Sequence, residues 1–291
     1  MEQKNRAEQK RLSQEVSNRP QVEMININRE FRITVKNTLI QGAIIDDGPI
    51  VFTFAPAGTS LTTREVGNGE LPWGFKFLSS RRVNVVSFNP ISTDHKYEEM
   101  ELFEWAKSNS YLFQHHKERL AYGVSMGAYG ALLLSHDLMI DRALLFSPTL
   151  YSLTPTEHNM HVTVVYDPFC GYDKKQALSL LPSSELHTYG VGHRGIESIS
   201  ACGYLSPLIR AFIDNQIVDE EFYLAMRGRK STERYYTYMK RNPTGKNTKS
   251  RRRVITTAWL KWNLSNPKKV LNKLYKSARK RLLAVSVSRN G

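Results

Sequence analysis

The segment that most constrains this chain is Gly123-Val124-Ser125-Met126-Gly127, a G-x-S-x-G pattern lying between two different kinds of sequence. Arg119–Tyr122 before it reads as a short strand. Met126–Ser135 after it is small and apolar and reads as a helix. A chain that goes from strand to helix over so few residues must turn sharply, and glycines on either side let the backbone approach itself without a clash. Such a turn lifts the Ser125 hydroxyl into the open. The alternative is a glycine- and serine-rich helix start without chemistry.

The rest of the chain supplies elements that suit this turn. Apolar alternation in Val22–Ile27, Phe31–Lys36 and Leu39–Ile45 predicts an antiparallel start to a sheet. Asp46-Asp47-Gly48-Pro49 then turns the chain into Ile50–Phe54, an apolar run suited to a buried strand. Further strands are expected at Val83–Phe88, Ala143–Phe146, His161–Tyr166 and Leu186–Tyr189. Helices are expected at Tyr97–Ser108, Asp173–Leu181 and Ile196–Ile213. That alternation predicts a mostly parallel central sheet with helices on both faces.

A serine hydroxyl becomes a nucleophile only when a base takes its proton. His193 lies in Gly190-Val191-Gly192-His193-Arg194-Gly195, a glycine-rich loop between the last predicted strand and the last predicted helix. The order serine, acid, histidine places the acid between these two residues. Asp167 directly follows the strand His161–Tyr166 and is the favoured candidate; Asp173, six residues later, reads more naturally as a cap for helix Lys174–Leu181. Oxyanion donors are expected at the Met126 backbone N–H and at Ala57 or Gly58, in the loop after Ile50–Phe54.

Taken together, GVSMGAYGALLL, YDP and GVGHRG resemble the α/β-hydrolase superfamily over roughly residues 35–215. The resemblance implies a Ser–His–acid triad acting through a covalent acyl-enzyme. SMGAYGAL is also similar to members associated with bacterial surface-glycan assembly, glycan O-acetyltransferases of accessory secretion systems among them. Ala55-Pro56 departs from the more usual His-Gly at the oxyanion loop. The stretch Ser147–Met160 is too short for a cap domain, which leaves Thr59–Pro72 as the expected rim of an open site.

Charge separates the chain into parts. Residues 221–291 hold 20 Lys/Arg and 2 Asp/Glu, a net of +18, which leaves 21 basic and 25 acidic residues, or −4, in the first 220. The expected organisation is a polar leader 1–20, an α/β-hydrolase domain 21–220, and a basic, partly helical extension 221–291. In the extension, Val270, Leu271, Leu274, Ala278 and Leu282 recur at helical spacing among lysines over Pro267–Val285. Its expected partner is an anionic membrane surface or an acidic polysaccharide, with nucleic acid ranked last.

No run of about 18 apolar residues marks a membrane span, and Met1–Pro20 lacks the apolar stretch of a secretory signal. Cys170 and Cys202 are too few for a metal site or a disulfide framework. A cytoplasmic location, peripheral at most to the inner face of the membrane, follows as the expectation, with neither metal nor cofactor. Three functions fit this sequence: an esterase or deacylase acting on an acylated carbohydrate, an O-acyltransferase using the same triad, and a non-catalytic protein whose basic tail does the binding.

Overall fold

An eight-stranded sheet organises the computed structural model, which describes residues 29–92, 94–151, 160–180, 183–242, 249–265 and 267. Its strands are β1 (Arg29–Val35), β2 (Thr38–Ile44), β3 (Ile50–Phe54), β4 (Asn84–Pro90), β5 (Arg119–Val124), β6 (Arg142–Phe146), β7 (His161–Tyr166) and β8 (Ser184–His187). They are arranged in the order β1-β2-β4-β3-β5-β6-β7-β8. β2 runs antiparallel to both β1 and β4, and every other pairing is parallel. With helices on both faces and the serine turn after the central strand β5, this is the α/β-hydrolase fold.

Sequence chemistry explains why β3 and β5 are central. Each residue of β3 is buried, as a parallel strand covered on both faces requires. Its side chains alternate between two cores: Phe52 and Phe54 pack with Phe88, Tyr97 and Phe113 on one face, and Val51 packs with Phe75, Tyr122 and Phe212 on the other. Thr53 is the one polar residue of the strand. Its hydroxyl donates to the Trp73 carbonyl at 3.0 Å and pairs with the Ser87 hydroxyl at 2.7 Å.

Ten α-helices are present among the described residues: α1 (Thr63–Gly67), α2 (Phe75–Ser79), α3 (Met100–Asn109), α4 (Met126–Leu133), α5 (Gly171–Leu178), α6 (Gly195–Ala201), α7 (Leu205–Ile213), α8 (Asp219–Met226), α9 (Glu233–Arg241) and α10 (Lys249–Ser265). Several departures from the sequence expectation have local causes. The single helix expected over Ile196–Ile213 is two, α6 and α7, with Gly203 at φ 74° between them. α3 starts after Tyr97, not at it, because Tyr97 sits at φ 66° with its ring fully buried. The stretch expected as a rim loop contains α1, whose Thr62 and Glu65 form a reciprocal capping box.

Past residue 220, Phe222 and Met226 of α8 are buried in the second core, so the packed body runs on beyond that position. The leader 1–20, the strand expected at Val22–Ile27 and nearly all of the helix expected over Pro267–Val285 lie outside the described residues.

Candidate active site

Ser125 occupies the turn between β5 and α4 at φ 54° and ψ −114°, a backbone conformation costly to a residue with a Cβ. Its surroundings enforce it. The Ser125 N–H donates to the Phe146 carbonyl at 2.9 Å. A Cβ on Gly127 would fall inside the Phe54 carbonyl oxygen, and one on Gly123 would meet the Gly127 carbonyl oxygen at 2.5 Å. Both glycines of the pattern are therefore there because backbone occupies the space of a side chain.

His193, the residue expected as base, lies beside the serine. His193 Nε2 lies 2.9 Å from Ser125 Oγ, and the Thr149 hydroxyl stands 3.2 Å from the same oxygen. The acid is not the one the sequence favoured. Asp173 Oδ1 is 2.7 Å from His193 Nδ1, whereas Asp167 does not reach the imidazole. The carboxylate of Asp167 is already committed. Its Oδ2 accepts the backbone N–H groups of Gly190 at 2.9 Å, Val191 at 2.7 Å and Gly192 at 2.6 Å, and its Oδ1 accepts that of Phe169 at 2.9 Å.

The two aspartates thus divide the work. Asp167 folds the histidine loop, and Asp173 faces the histidine. Asp173 was expected as a helix cap; it stands instead inside the first turn of α5, with Cys170 at the cap position. A carboxylate in that first turn is favoured by the helix dipole. Both aspartates are fully buried, while the His193 side chain is 38% exposed. The imidazole is reachable from outside and its acid is not.

The loop expected to supply an oxyanion donor is held by neighbours of the sheet. Ala57-Gly58-Thr59 forms a single 3-10 turn in which the Thr59 N–H donates back to the Pro56 carbonyl at 3.0 Å. The buried Tyr97 hydroxyl donates to the Ala55 carbonyl at 2.8 Å, and Asn89 ties the Thr59 carbonyl to the Trp73 N–H. Ala57 and Gly58 line the same cavity as Ser125. Met126, the other expected donor, is the first residue of α4 directly after the serine.

That cavity has a volume of about 610 Å³ and opens over Ser125 and His193. Its walls are mostly apolar, with Trp73, Phe77, Tyr122, Val124, Ile196 and Leu205; Arg194 and Glu197 stand among them as charged residues. Nothing in the sequence pattern marks Trp73 or Phe77 as walls. Of the expected rim Thr59–Pro72, only Thr59 lines the cavity. Among the described residues no cluster of three or more His, Cys, Asp or Glu is placed to hold a metal ion. No described helix is long and apolar enough to cross a membrane.

No protein-family model and no curated protein matches this chain. Solved structures of similar shape do. An α/β serine hydrolase homologue from Coxiella burnetii shares 14% identity, over 67% of this chain and 100% of that one, at a TM-score of 0.42. An α/β serine hydrolase without lid from Xanthomonas campestris shares 12%, over 65% and 96%, at 0.42. The capsule O-acetyltransferase of Neisseria meningitidis serogroup A shares 12%, over 68% and 99%, at 0.45. The neighbours are thus α/β hydrolases and an O-acetyltransferase. The strand order, not these likenesses, carries the fold.

Proposed function

We propose that this chain is a serine esterase that cleaves a carboxylic ester through an acyl-enzyme on Ser125. The observation that supports it most is the relay Ser125 Oγ, His193 Nε2, His193 Nδ1, Asp173 Oδ1, with separations of 2.9 and 2.7 Å on a strained serine turn. In the first step Ser125 Oγ attacks the ester carbonyl and its proton passes to His193 Nε2. Asp173 holds the imidazole in the tautomer that keeps Nε2 free to accept. The Met126 and Ala57 N–H groups receive the negative charge on the former carbonyl oxygen. His193 then returns the proton to the departing alcohol, and water activated by the same imidazole releases the acid.

The substrate class we propose is an acylated carbohydrate of surface-polysaccharide metabolism. The shortness of the β6–β7 connection, residues 147–160, supports it, because so few residues make no cap domain and an open site admits one edge of a large acceptor. A sugar hydroxyl in place of water would make the same residues an O-acyltransferase, and the basic extension is suited to hold an acidic polysaccharide or an anionic membrane surface near the site.

The test is a fluorophosphonate probe on the full chain, with the adduct located by mass spectrometry. Label on Ser125 that is lost in Ser125→Ala and strongly reduced in His193→Ala supports the triad. Absence of label on the folded wild-type protein overturns it. Product analysis of an acylated glycan, with and without a free sugar acceptor, separates hydrolysis from transfer.

A further inference from the structure

The loop that carries His193 has a second support, from a part of the chain that its charge assigns to the basic extension. Gly190 and Gly192 lie at φ 87° and 70°, and helix α9 packs directly on both. A Cβ on Gly192 would meet Tyr238 Cε2 at 2.5 Å; one on Gly190 would meet Met239 Sδ at 2.9 Å and Tyr235 Cε2 at 3.0 Å. On the flanks of the loop, Arg229 Nε donates to the Tyr189 carbonyl at 2.8 Å and Arg234 pairs with Glu197. Near the same face, the Cys170 thiol donates to Asp173 Oδ1 at 3.4 Å. One helix face therefore packs on the loop that bears His193.

We propose that α9 is the clamp that holds the His193 loop in register with Ser125, with Tyr238 as its principal positioning residue. The proposal rests on the triad reading above. Asp167 draws the three N–H groups of residues 190–192 inward from beneath, and Tyr238 closes the loop from outside. Without the ring, Gly192 has open space where its outer wall stood, and a left-handed glycine resists little of the resulting movement. Displacements near 1 Å at a reacting group cost on the order of a hundredfold in rate. Tyr238 does not line the cavity, so its loss acts on the chemistry and not on substrate binding.

The experiment compares full-length wild type, Tyr238→Ala and Tyr238→Phe. Expected for Tyr238→Ala is a kcat lower by roughly tenfold to a hundredfold with KM within about twofold. Tyr238→Phe, which keeps the ring against Gly192, restores most of kcat. An unchanged kcat in Tyr238→Ala overturns the clamp, as does an equal loss in both variants. Should Tyr238→Ala fail to fold, Tyr238→Leu is read in its place.

A second readout needs no turnover. The downfield Nδ1–H proton resonance of His193, assigned by its disappearance in His193→Ala, should vanish in Tyr238→Ala and persist in Tyr238→Phe. If the wild type cleaves no ester, the triad reading fails, and this resonance still decides the clamp: persistence in Tyr238→Ala overturns it.

Discussion

Replacing each of the two buried aspartates by asparagine should separate catalysis from folding. In Asp173→Asn the amide can still meet His193 Nδ1, but it no longer selects the tautomer or stabilises an imidazolium. A loss of roughly 10³- to 10⁴-fold in kcat follows, equivalent to about 4–5.5 kcal/mol of transition-state stabilisation. Stability should hold or rise, because Asp173 Oδ2 is buried without a hydrogen-bond partner and the substitution removes a buried charge.

Asp167→Asn should behave in the opposite way. Three N–H donors converge on Oδ2 and one on Oδ1, so the new amide is best turned with its NH₂ toward Phe169, stranding that N–H. One orphaned donor, together with three bonds deprived of their charge, costs about 3 kcal/mol. At about 2–4 °C per kcal/mol for a domain near this size, the melting temperature drops by roughly 6–12 °C. The assay is kcat/KM on a short-chain nitrophenyl ester, paired with thermal unfolding followed by circular dichroism. An Asp173→Asn protein within tenfold of wild type, beside an Asp167→Asn protein that is inactive at an unchanged melting temperature, would refute the assignment.

Other expectations follow from single contacts. Gly127→Ala should abolish soluble expression or lower stability by more than about 3 kcal/mol, since its Cβ collides with the fixed Phe54 backbone; a soluble, active variant would contradict this. His116 is buried with Nδ1 2.8 Å from the Gly48 carbonyl, and burial lowers its pKa. The folded state then binds fewer protons than the unfolded state. Its contribution is complete above the ordinary histidine range and is lost as pH falls below about 6.5, with a slope of at most about 1.4 kcal/mol per pH unit. Urea midpoints between pH 7 and pH 5 should fall less steeply in His116→Gln. Phe77→Ala, which removes a cavity wall, should raise the ratio of kcat/KM on octanoyl to acetyl esters by about tenfold or more.

The serine elbow and the His193 loop were legible in the sequence because each is a local device. A strand, a glycine-flanked serine and a helix lie consecutively in the chain, and the His193 loop announces itself by its glycines. The acid was not legible for a physical reason. Asp167 and Asp173 share the end of one strand, and only the fold shows that the N–H groups of residues 190–192 have taken the carboxylate of Asp167. Two misses did have a written signal. Thr62-Thr63-Arg64-Glu65 is a capping box by spacing and marks α1, and Gly203 interrupts the helical pattern between α6 and α7. The tail's tyrosines stand out in the sequence, but that Tyr235 and Tyr238 dock it on the His193 loop is a contact only the fold creates.

The site has to hold a strained serine against a histidine on a glycine-rich loop, two elements with opposite mechanical character. The serine side is rigid by construction: β5 lies between β3 and β6, and the elbow glycines leave no room for movement. The histidine side is soft by composition, and its order must come from outside its own sequence. Asp167 provides this from the core through one fully buried carboxylate, and α9 from the surface through Tyr235, Tyr238 and Met239. An inner support and an outer one differ in how easily they yield. The inner one fails only when the core opens, whereas the outer one is a short helix tied to α10 and its exposed Arg251, Arg252 and Arg253.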